Sequence, residues 1–510
     1  MIRKFYIDQK WLPVLLPVFS LVMILISICS QENENNISNL IARSVDCGIK
    51  LEWRTPSWDW DSYLELTIQS DEQTEIVKLH SGTSSYTYRT GTHGKMYSFN
   101  LRLLKSGEQV GETLADSTLF LRFNQLPDVP LVKIETRNGK WPSATYIKAP
   151  DGCIGSTITD NAYVDTQMSL EQSGITKVLC DAQIRVRGNT SAYLEKRSYK
   201  IKLGSSLDLL NRGGAAYADR EYYLIPASEF LRFEAGTKVA EICGLEWQPT
   251  FMTVNLMMNG KWLGVYHLTE SVKVSQTRVN ISDTGFLIER DPYWWKNKDE
   301  SFQTPLQLSL FAYTYRYPTL EERTEETSAL VYDYMVAYES AMLEGVGDLV
   351  DYIDVDSFAG WLLAHDILGT YDAAGSNMYL YKYDMDKNDV TSSKLKMGPL
   401  WDFDSVFVNS GYATINQEII FSADSLFANP EFNEAHRKKW DQVSLTVCAD
   451  VMAFLNTYVN SYGTGLQESW NLDSVAWRCQ GVASMVDSLN FVQSWFENKT
   501  IWLNDRVPYL

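Results

Sequence analysis

Asp372 and Asn377 stand five residues apart, and Asp402 and Asp404 follow after a stretch that reads as a β-hairpin. Residues 378–383 run Met, Tyr, Leu, Tyr, Lys, Tyr. A polar turn through Asp384, Asp386 and Asn388 follows, and 394–397 return into Gly398-Pro399-Leu400-Trp401-Asp402-Phe403-Asp404. An acid and an amide on one loop, with further carboxylates brought back beside them, suit phosphoryl transfer. One aspartate orients the attacking hydroxyl, and oxygen ligands hold Mg²⁺ on the nucleotide phosphates. Asp and Asn also favour turns for local reasons, and paired carboxylates serve Ca²⁺ binding or glycoside hydrolysis as well.

These groups need a scaffold, and the flanking chain supplies the signals for one. Asp356 and Ser357 can cap a helix through Trp361 and Ile367 that Gly369 ends just before the loop. His365, near its end, reads as packing or loop support. Upstream, 199–203 reads as a strand whose period of two puts Tyr199, Ile201 and Leu203 on one face and Lys200 and Lys202 on the other. A strand-borne lysine is what holds nucleotide phosphates in a kinase, so Lys200 and Lys202 are both candidates. No G-x-G-x-x-G loop is present. Residues 228–243 read as a helix capped by Ser228 and ended by Gly244, with Glu229, Glu234 and Glu241 as possible partners for the lysine. Asn259-Gly260 between two alternating runs predicts a hairpin. Glu270 after it falls where a hinge would meet an adenine, and 285–289 reads as another strand. The aromatic-rich stretch 293–317 reads as an insertion between lobes, and from Pro430 onward the pattern is helical.

Several of these blocks together resemble one family. Arg185-Val186-Arg187-Gly188-Asn189-Thr190-Ser191, then Lys196-Arg197-Ser198-Tyr199-Lys200-Ile201-Lys202, is similar to the R-G-N-x-S…K-K-x-Y-K signature of the spore coat protein H (CotH) kinases. Asn259-Gly260-Lys261-Trp262-Leu263-Gly264-Val265-Tyr266-His267-Leu268-Thr269-Glu270 resembles the family's N-G-x-Y-L-G-x-Y-x-x-x-E segment, and 372–404 its catalytic core. The resemblance implies an atypical protein kinase that uses ATP and Mg²⁺ or Mn²⁺ to phosphorylate serines or threonines of a protein substrate. It implies Asp372 as the group that accepts or orients the hydroxyl proton, Asn377 and Asp402 as metal ligands, and Asp404 as a further ligand. Lys200 or Lys202 would meet the phosphates, backed by Arg187-Gly188-Asn189.

The rest of the chain bounds that reading. Its 510 residues are too many for one core, and a formal charge of −19 argues against nucleic acid as a partner. Arg3, Lys4 and Lys10 precede an apolar run from Trp11 to Cys29, and Ile26-Ser27-Ile28-Cys29 resembles a lipobox except at Ile28. The expectation is an extracytoplasmic lipoprotein of the outer membrane or cell surface, with 1–29 as signal and lipobox and a lipid on Cys29. An uncleaved anchor is the alternative. Six other sparse cysteines form neither a C-x-x-C nor a disulfide framework.

The expected organisation continues with a flexible tether over 30–43 and a fibronectin type III-like β-sandwich over 44–124. That sandwich rests on short alternating strands around Trp53 and Tyr97-x-Phe99-x-Leu101. Its expected role is a spacer or protein-contact platform, with carbohydrate binding through exposed aromatics as the sharper alternative. A kinase-like α+β domain with a helical C-terminal lobe then fills 126–510. Against the active kinase stand a catalytically inactive kinase-like binding lipoprotein and a surface glycosidase.

Overall fold

The computed structural model describes residues 36–56, 60–306, 310–370, 373, 377–408, 423–477 and 484–509. The chain is multidomain, β-rich toward its N-terminus and helical toward its C-terminus. It divides into two units, Met1–Leu126 with Asn259–Trp262, and Pro127–Met258 with Leu263–Leu510.

Among the described residues the first unit holds seven strands: β1 Ser38–Val45, β2 Gly48–Arg54, β3 Ser62–Gln69, β4 Thr74–His80, β5 Ser85–Tyr88, β6 Met96–Lys105 and β7 Glu108–Leu119. They form one sheet of order β1-β2-β5 and another of order β4-β3-β6-β7. Alternation builds the core. Tyr97, Phe99, Leu101 and Leu103 of β6 turn inward to meet Leu64, Leu66 and Ile68 of β3 and Trp53 of β2. Trp53, Tyr97 and Phe99 are therefore core residues rather than a carbohydrate-binding face. Residues 38–43, expected as tether, lie in β1, where Ser38 and 41–43 pair with β2. The lipobox and the apolar run before it lie outside the described residues.

The second unit opens with β8 Leu131–Thr136, the hairpin β9 Thr145–Lys148 and β10 Ser156–Thr159, then β11 Val164–Gln172, β12 Ile175–Arg187, β13 Ser198–Leu207, β14 Asp219–Pro226, β15 Phe251–Met258 and β16 Lys261–Glu270. Seven of these strands close a barrel in the order β11-β12-β13-β14-β16-β15-β8. Its interior is apolar: Ile134, Met168, Ile184, Val186, Ile201, Tyr222 and Leu256 are among its buried residues. The mixed strands read from the sequence are thus one closed sheet. The closing pair, parallel β8 and β15, joins residues far apart in the chain, which no local alternation announces. The Asn259-Gly260 turn forms with both residues at positive φ, 51° and 73°, as a two-residue hairpin turn requires.

A second sheet of order β18-β19-β17-β20-β21 contains β17 Phe286–Asp291, β18 Ser301–Phe302, β19 Ala312–Tyr317, β20 Met378–Lys382 and β21 Leu395–Met397. The expected aromatic insertion therefore contributes two strands of this sheet. The helices among the described residues are α1 Arg232–Ile242, α2 Glu325–Leu343, α3 Val355–Leu368, α4 Ala423–Ala428, α5 Pro430–Val443, α6 Val447–Ser461, α7 Gly465–Trp477 and α8 Met485–Asn504. They pack against the second sheet around Phe286, Ile288, Trp361, Leu380, Trp440 and Phe496.

Two helix starts differ from expectation. α1 begins at Arg232, because Phe230 and Leu231 take positive φ values of 64° and 52° and Ser228 makes no cap. α3 is capped by Asp354, which accepts from the Ser357 N–H at 2.8 Å, while Gly369 ends it at φ 59°. Cys47, Cys153, Cys180, Cys243 and Cys448 are free thiols.

Candidate active site

Asn377 and Asp402 occupy the same end of the β20–β21 hairpin. Leu380 pairs with Met397, and the Gly398 N–H bonds the Tyr379 carbonyl at 3.0 Å. Asn377 therefore enters β20 where 398–402 leave β21. Asn377 is buried. Asp402 is exposed and holds a left-handed backbone at φ 65° and ψ 74°. Asp372 lies outside the described residues.

Phe403 anchors this segment. Its ring meets Phe233 of α1 edge-on at 5.0 Å. It fits because position 236 is glycine: a Cβ there would lie 2.1 Å from the Phe403 ring. Asp404 sits beside Arg232, which donates to the Asp404 carbonyl at 2.7 Å. Desolvation raises the Asp404 carboxyl above its ordinary value, against the pull of Arg232.

Cations collect on the face of β12 and β13 that turns away from the barrel core. Lys200 stands opposite Arg185 and Tyr223 in register. The Arg187 guanidinium lies 4.5 Å from the Tyr223 ring centroid and 5.6 Å from that of Trp401. Trp401 and Tyr223 in turn meet edge to face at 5.8 Å. Trp401 directly precedes Asp402, so the cation face and the acid-bearing segment meet at this one aromatic contact.

Arg185 stacks on Tyr163 at 4.8 Å. Lys296 bonds the Ile158 carbonyl, and its amine is pushed below the ordinary value by burial and by Arg185. No ion pair with a carboxylate is made by Arg185 or Arg187 among the described residues. Lys200 differs, because it pairs with Glu221 of β14 at 2.9 Å. Lys202 lines a separate groove of about 570 Å³ with Asp181, Gln183 and Arg220.

The sequence reading missed Tyr223, Glu221 and Lys296, and it quoted Arg185 without giving it a role. Arg185 was readable: it lies two residues before Arg187 on one strand, hence on the same face. Lys296 and Glu221 reach the site through folding across the chain, and no local pattern marks them.

Other prominent motif residues are structural. Lys196 pairs with Asp473 of α7 at 2.6 Å, and the same carboxylate accepts from the Val265 N–H at 2.8 Å. Gly264, at φ 91°, leaves room for it, since a Cβ there would lie 1.6 Å from Asp473 Oδ1. The turn 188–191 is shaped similarly: Gly188 has φ 104° and a Cβ would meet Ser191 Oγ at 2.3 Å, while Asn189 Oδ1 accepts from Thr157 at 2.7 Å.

Glu270, expected at a hinge, is fully buried. It takes two hydrogen bonds from Arg212, at 3.0 and 2.6 Å, one from Arg278 at 2.9 Å, and one from the Thr250 N–H at 3.0 Å. A carboxylate so committed has no capacity left for an adenine.

The helix glutamates also point to other work. Glu234 is buried, 3.8 Å from His267 Nε2, and burial pushes its carboxyl up to about 7 although Tyr458 bonds it. Glu241 pairs with Lys238 at 2.8 Å, and Glu229 lies near Arg232. His365 is buried with Nδ1 on Thr370 Oγ1 at 3.1 Å, which is loop support.

The donor set suits a magnesium nucleotide. Asn377 and Asp402 carry the hard oxygens that Mg²⁺ takes, and Arg187 lies over the ring of Trp401, the residue before Asp402. No group of three or more His, Cys, Asp or Glu that could hold a metal occurs among the described residues. A cavity of about 770 Å³ borders the same hairpin, lined by Glu246, Trp247, Arg278, Tyr381, Lys396 and Pro399. Within it Lys396 and Tyr381 both meet Glu246.

Comparison with known proteins adds a family. A family model described as CotH kinase protein matches residues 184–503. No curated protein matches the chain. Among solved structures, a segment of two fibronectin type III domains from chicken tenascin is similar at 12% identity, covering 33% of this chain and 89% of that one, with a TM-score of 0.16. Titin kinase with its flanking domains is similar at 12% identity, covering 41% of this chain and 43% of that one, with a TM-score of 0.14.

Proposed function

The chain belongs to the CotH kinase family, and on that premise we propose that it transfers the γ-phosphate of ATP to serine or threonine hydroxyls of a protein substrate. The observation that supports this reading most is the meeting of unneutralised cations with the acid-bearing segment at Trp401. Arginines that stack on rings and lack carboxylate partners are suited to a polyanion. ATP supplies the phosphoryl group, and Mg²⁺ or Mn²⁺ supplies charge neutralisation on its oxygens.

The chain's own groups divide the remaining work. Asp372 orients the substrate hydroxyl and takes its proton. Asn377 and Asp402 hold the metal, with Asp404 beside them. Arg187 and Lys200 neutralise phosphate charge that develops in transfer. Of the two lysines we assign this role to Lys200, because it shares the Tyr223–Arg187–Trp401 cluster.

The N-terminal sheets, three strands over four, support a fibronectin type III-like module acting as a spacer or protein contact. The basic, then apolar, N-terminus ending at Cys29 supports export and a lipid anchor, with the kinase outside the cytoplasm.

Purified protein lacking 1–29, given labelled ATP with Mg²⁺ or Mn²⁺, tests this beside Asp372→Asn and Asp402→Asn. Label transfer to itself or a generic protein, abolished in both variants, is expected. Nucleotide binding without transfer would replace the proposal with a kinase-like binding lipoprotein.

A further inference from the structure

A strand-borne lysine is useful for transfer only if its ammonium is held over the phosphates, and in protein kinases a helix glutamate holds it. Here the three candidate glutamates, Glu229, Glu234 and Glu241, are engaged elsewhere. Glu234 is buried against His267 and Tyr458, and Glu241 is taken by Lys238. Glu229 lies beside Arg232. Lys200 Nζ is instead 2.9 Å from Glu221 Oε1, with the lysine side chain 16% and the glutamate side chain 31% exposed. Glu221 comes from β14, the strand paired with β13. It stands opposite Lys202, and Tyr223 stands opposite Lys200, so Glu221 reaches Lys200 on the diagonal.

We propose that Glu221 is the positioning residue for Lys200, replacing the helix glutamate, so that the lysine is set by its own sheet rather than by the placement of α1. The proposal rests on the kinase reading above. Two neighbours fix the arrangement from the sides. The Lys200 ammonium lies 6.0 Å from the Tyr223 ring centroid, and Arg187 covers the same ring. The lysine stem is thus confined by the strand, an aromatic ring and one carboxylate, all borne on the barrel sheet. Helix movement that would break a strand–helix pair leaves this one intact.

The sign of the effect separates positioning from mere presence. By Coulomb's law, removing a carboxylate beside a polyanion site tightens nucleotide binding or leaves it unchanged. Only a positioning role makes turnover fall at the same time. The experiment compares kcat and nucleotide dissociation constants for the parent, Glu221→Gln, Glu221→Asp and Glu241→Gln, with thermal melting to confirm folding. Glu221→Gln is expected to lower kcat on the order of 10- to 100-fold, the cost of a misplaced reacting group, with nucleotide affinity retained or improved. Glu221→Asp is expected to recover part of the loss, and Glu241→Gln to match the parent.

Parental turnover in Glu221→Gln would overturn the proposal while leaving the kinase standing, and so would a larger loss in Glu241→Gln. If the parent neither binds nor turns over nucleotide, the kinase reading fails and the proposal fails with it.

Discussion

Arg212 and Arg278 each meet a carboxylate where the barrel leads into the second sheet, whereas Arg185 and Arg187 on β12 meet aromatic rings. In the first region Glu270 binds both arginines, and Asp219 binds Arg278 at 2.6 Å and Lys273 at 2.5 Å. Every charge is answered, and Glu270 and Arg278 are buried. In the second region the guanidinium groups lie over Tyr163, Tyr223 and Trp401, with Lys296 close enough to Arg185 to feel its repulsion. Both regions hold conspicuous charges from the family-like segments, yet only the second has charge left to offer a ligand. Charge satisfaction, rather than charge itself, distinguishes scaffold from site.

The contrast breaks first at its buried end. Glu270→Gln keeps the shape but takes the carboxylate from the half-buried Arg212 and leaves the buried Arg278 with Asp219 alone, and a loss of about 3 kcal/mol of stability is expected. Arg187→Ala should do the reverse, leaving the denaturant midpoint near the parent's while label transfer falls by about 100-fold or more. Denaturant melts and transfer assays on the same two variants decide it. A stable Glu270→Gln or an unstable Arg187→Ala would erase the distinction.

A subtler test concerns Glu234, which is buried like Glu270 but lacks a cation. Burial pushes its carboxyl up to about 7 from an ordinary 4.5. The folded chain therefore binds this proton more tightly than the unfolded one, and its contribution to stability falls as pH rises from 4.5 to 7. His267 beside it works the other way. Burial pushes its imidazole down to about 3, so stability present above pH 6.5 is lost as pH falls. Glu234→Gln mimics the protonated acid. The variant should match the parent near pH 4.5 and exceed it at pH 8, by at most about 3 kcal/mol. Equal melting temperatures at pH 8 would show that Glu234 is ionised and solvated.

What the sequence discloses follows the same division. Period two put Lys200 opposite Tyr199 and Ile201, and the structure has the tyrosine and isoleucine buried and the lysine on the other face. The Asn259-Gly260 turn and the end of α3 at Gly369 were likewise local matters of backbone chirality. Barrel closure was not legible, because β8 and β15 pair across more than a hundred residues of chain. Nor was the start of α1, where two apolar residues accept positive φ that their side chains disfavour. The assignments of Glu270 and the helix glutamates failed for a related reason. A carboxylate's role depends on which cations fold against it: Lys238, three residues before Glu241 on the helix, was legible as its partner, whereas no spacing marks Arg212 and Arg278 as partners of Glu270.

The smallest expected effect concerns Lys202, the strand neighbour that the sequence could not separate from Lys200. Both ammonium groups leave the same face of β13, but Lys202 stands one alternate position further from Trp401, in a groove shared with Asp181 and Arg220. Its charge is separated from the acid-bearing segment by Lys200 itself, and over that distance solvent screens most of the interaction. Lys202→Met should therefore change kcat/KM for nucleotide by no more than about threefold, within the range of a screened surface charge, against about 100-fold for Lys200→Met. Rising salt should shrink the Lys202 effect further and leave the Lys200 effect nearly intact, because a confined half-buried pair is screened less. Equal losses in the two variants would place the phosphates further along the strand, in the groove rather than beside Trp401, and would move the site with them.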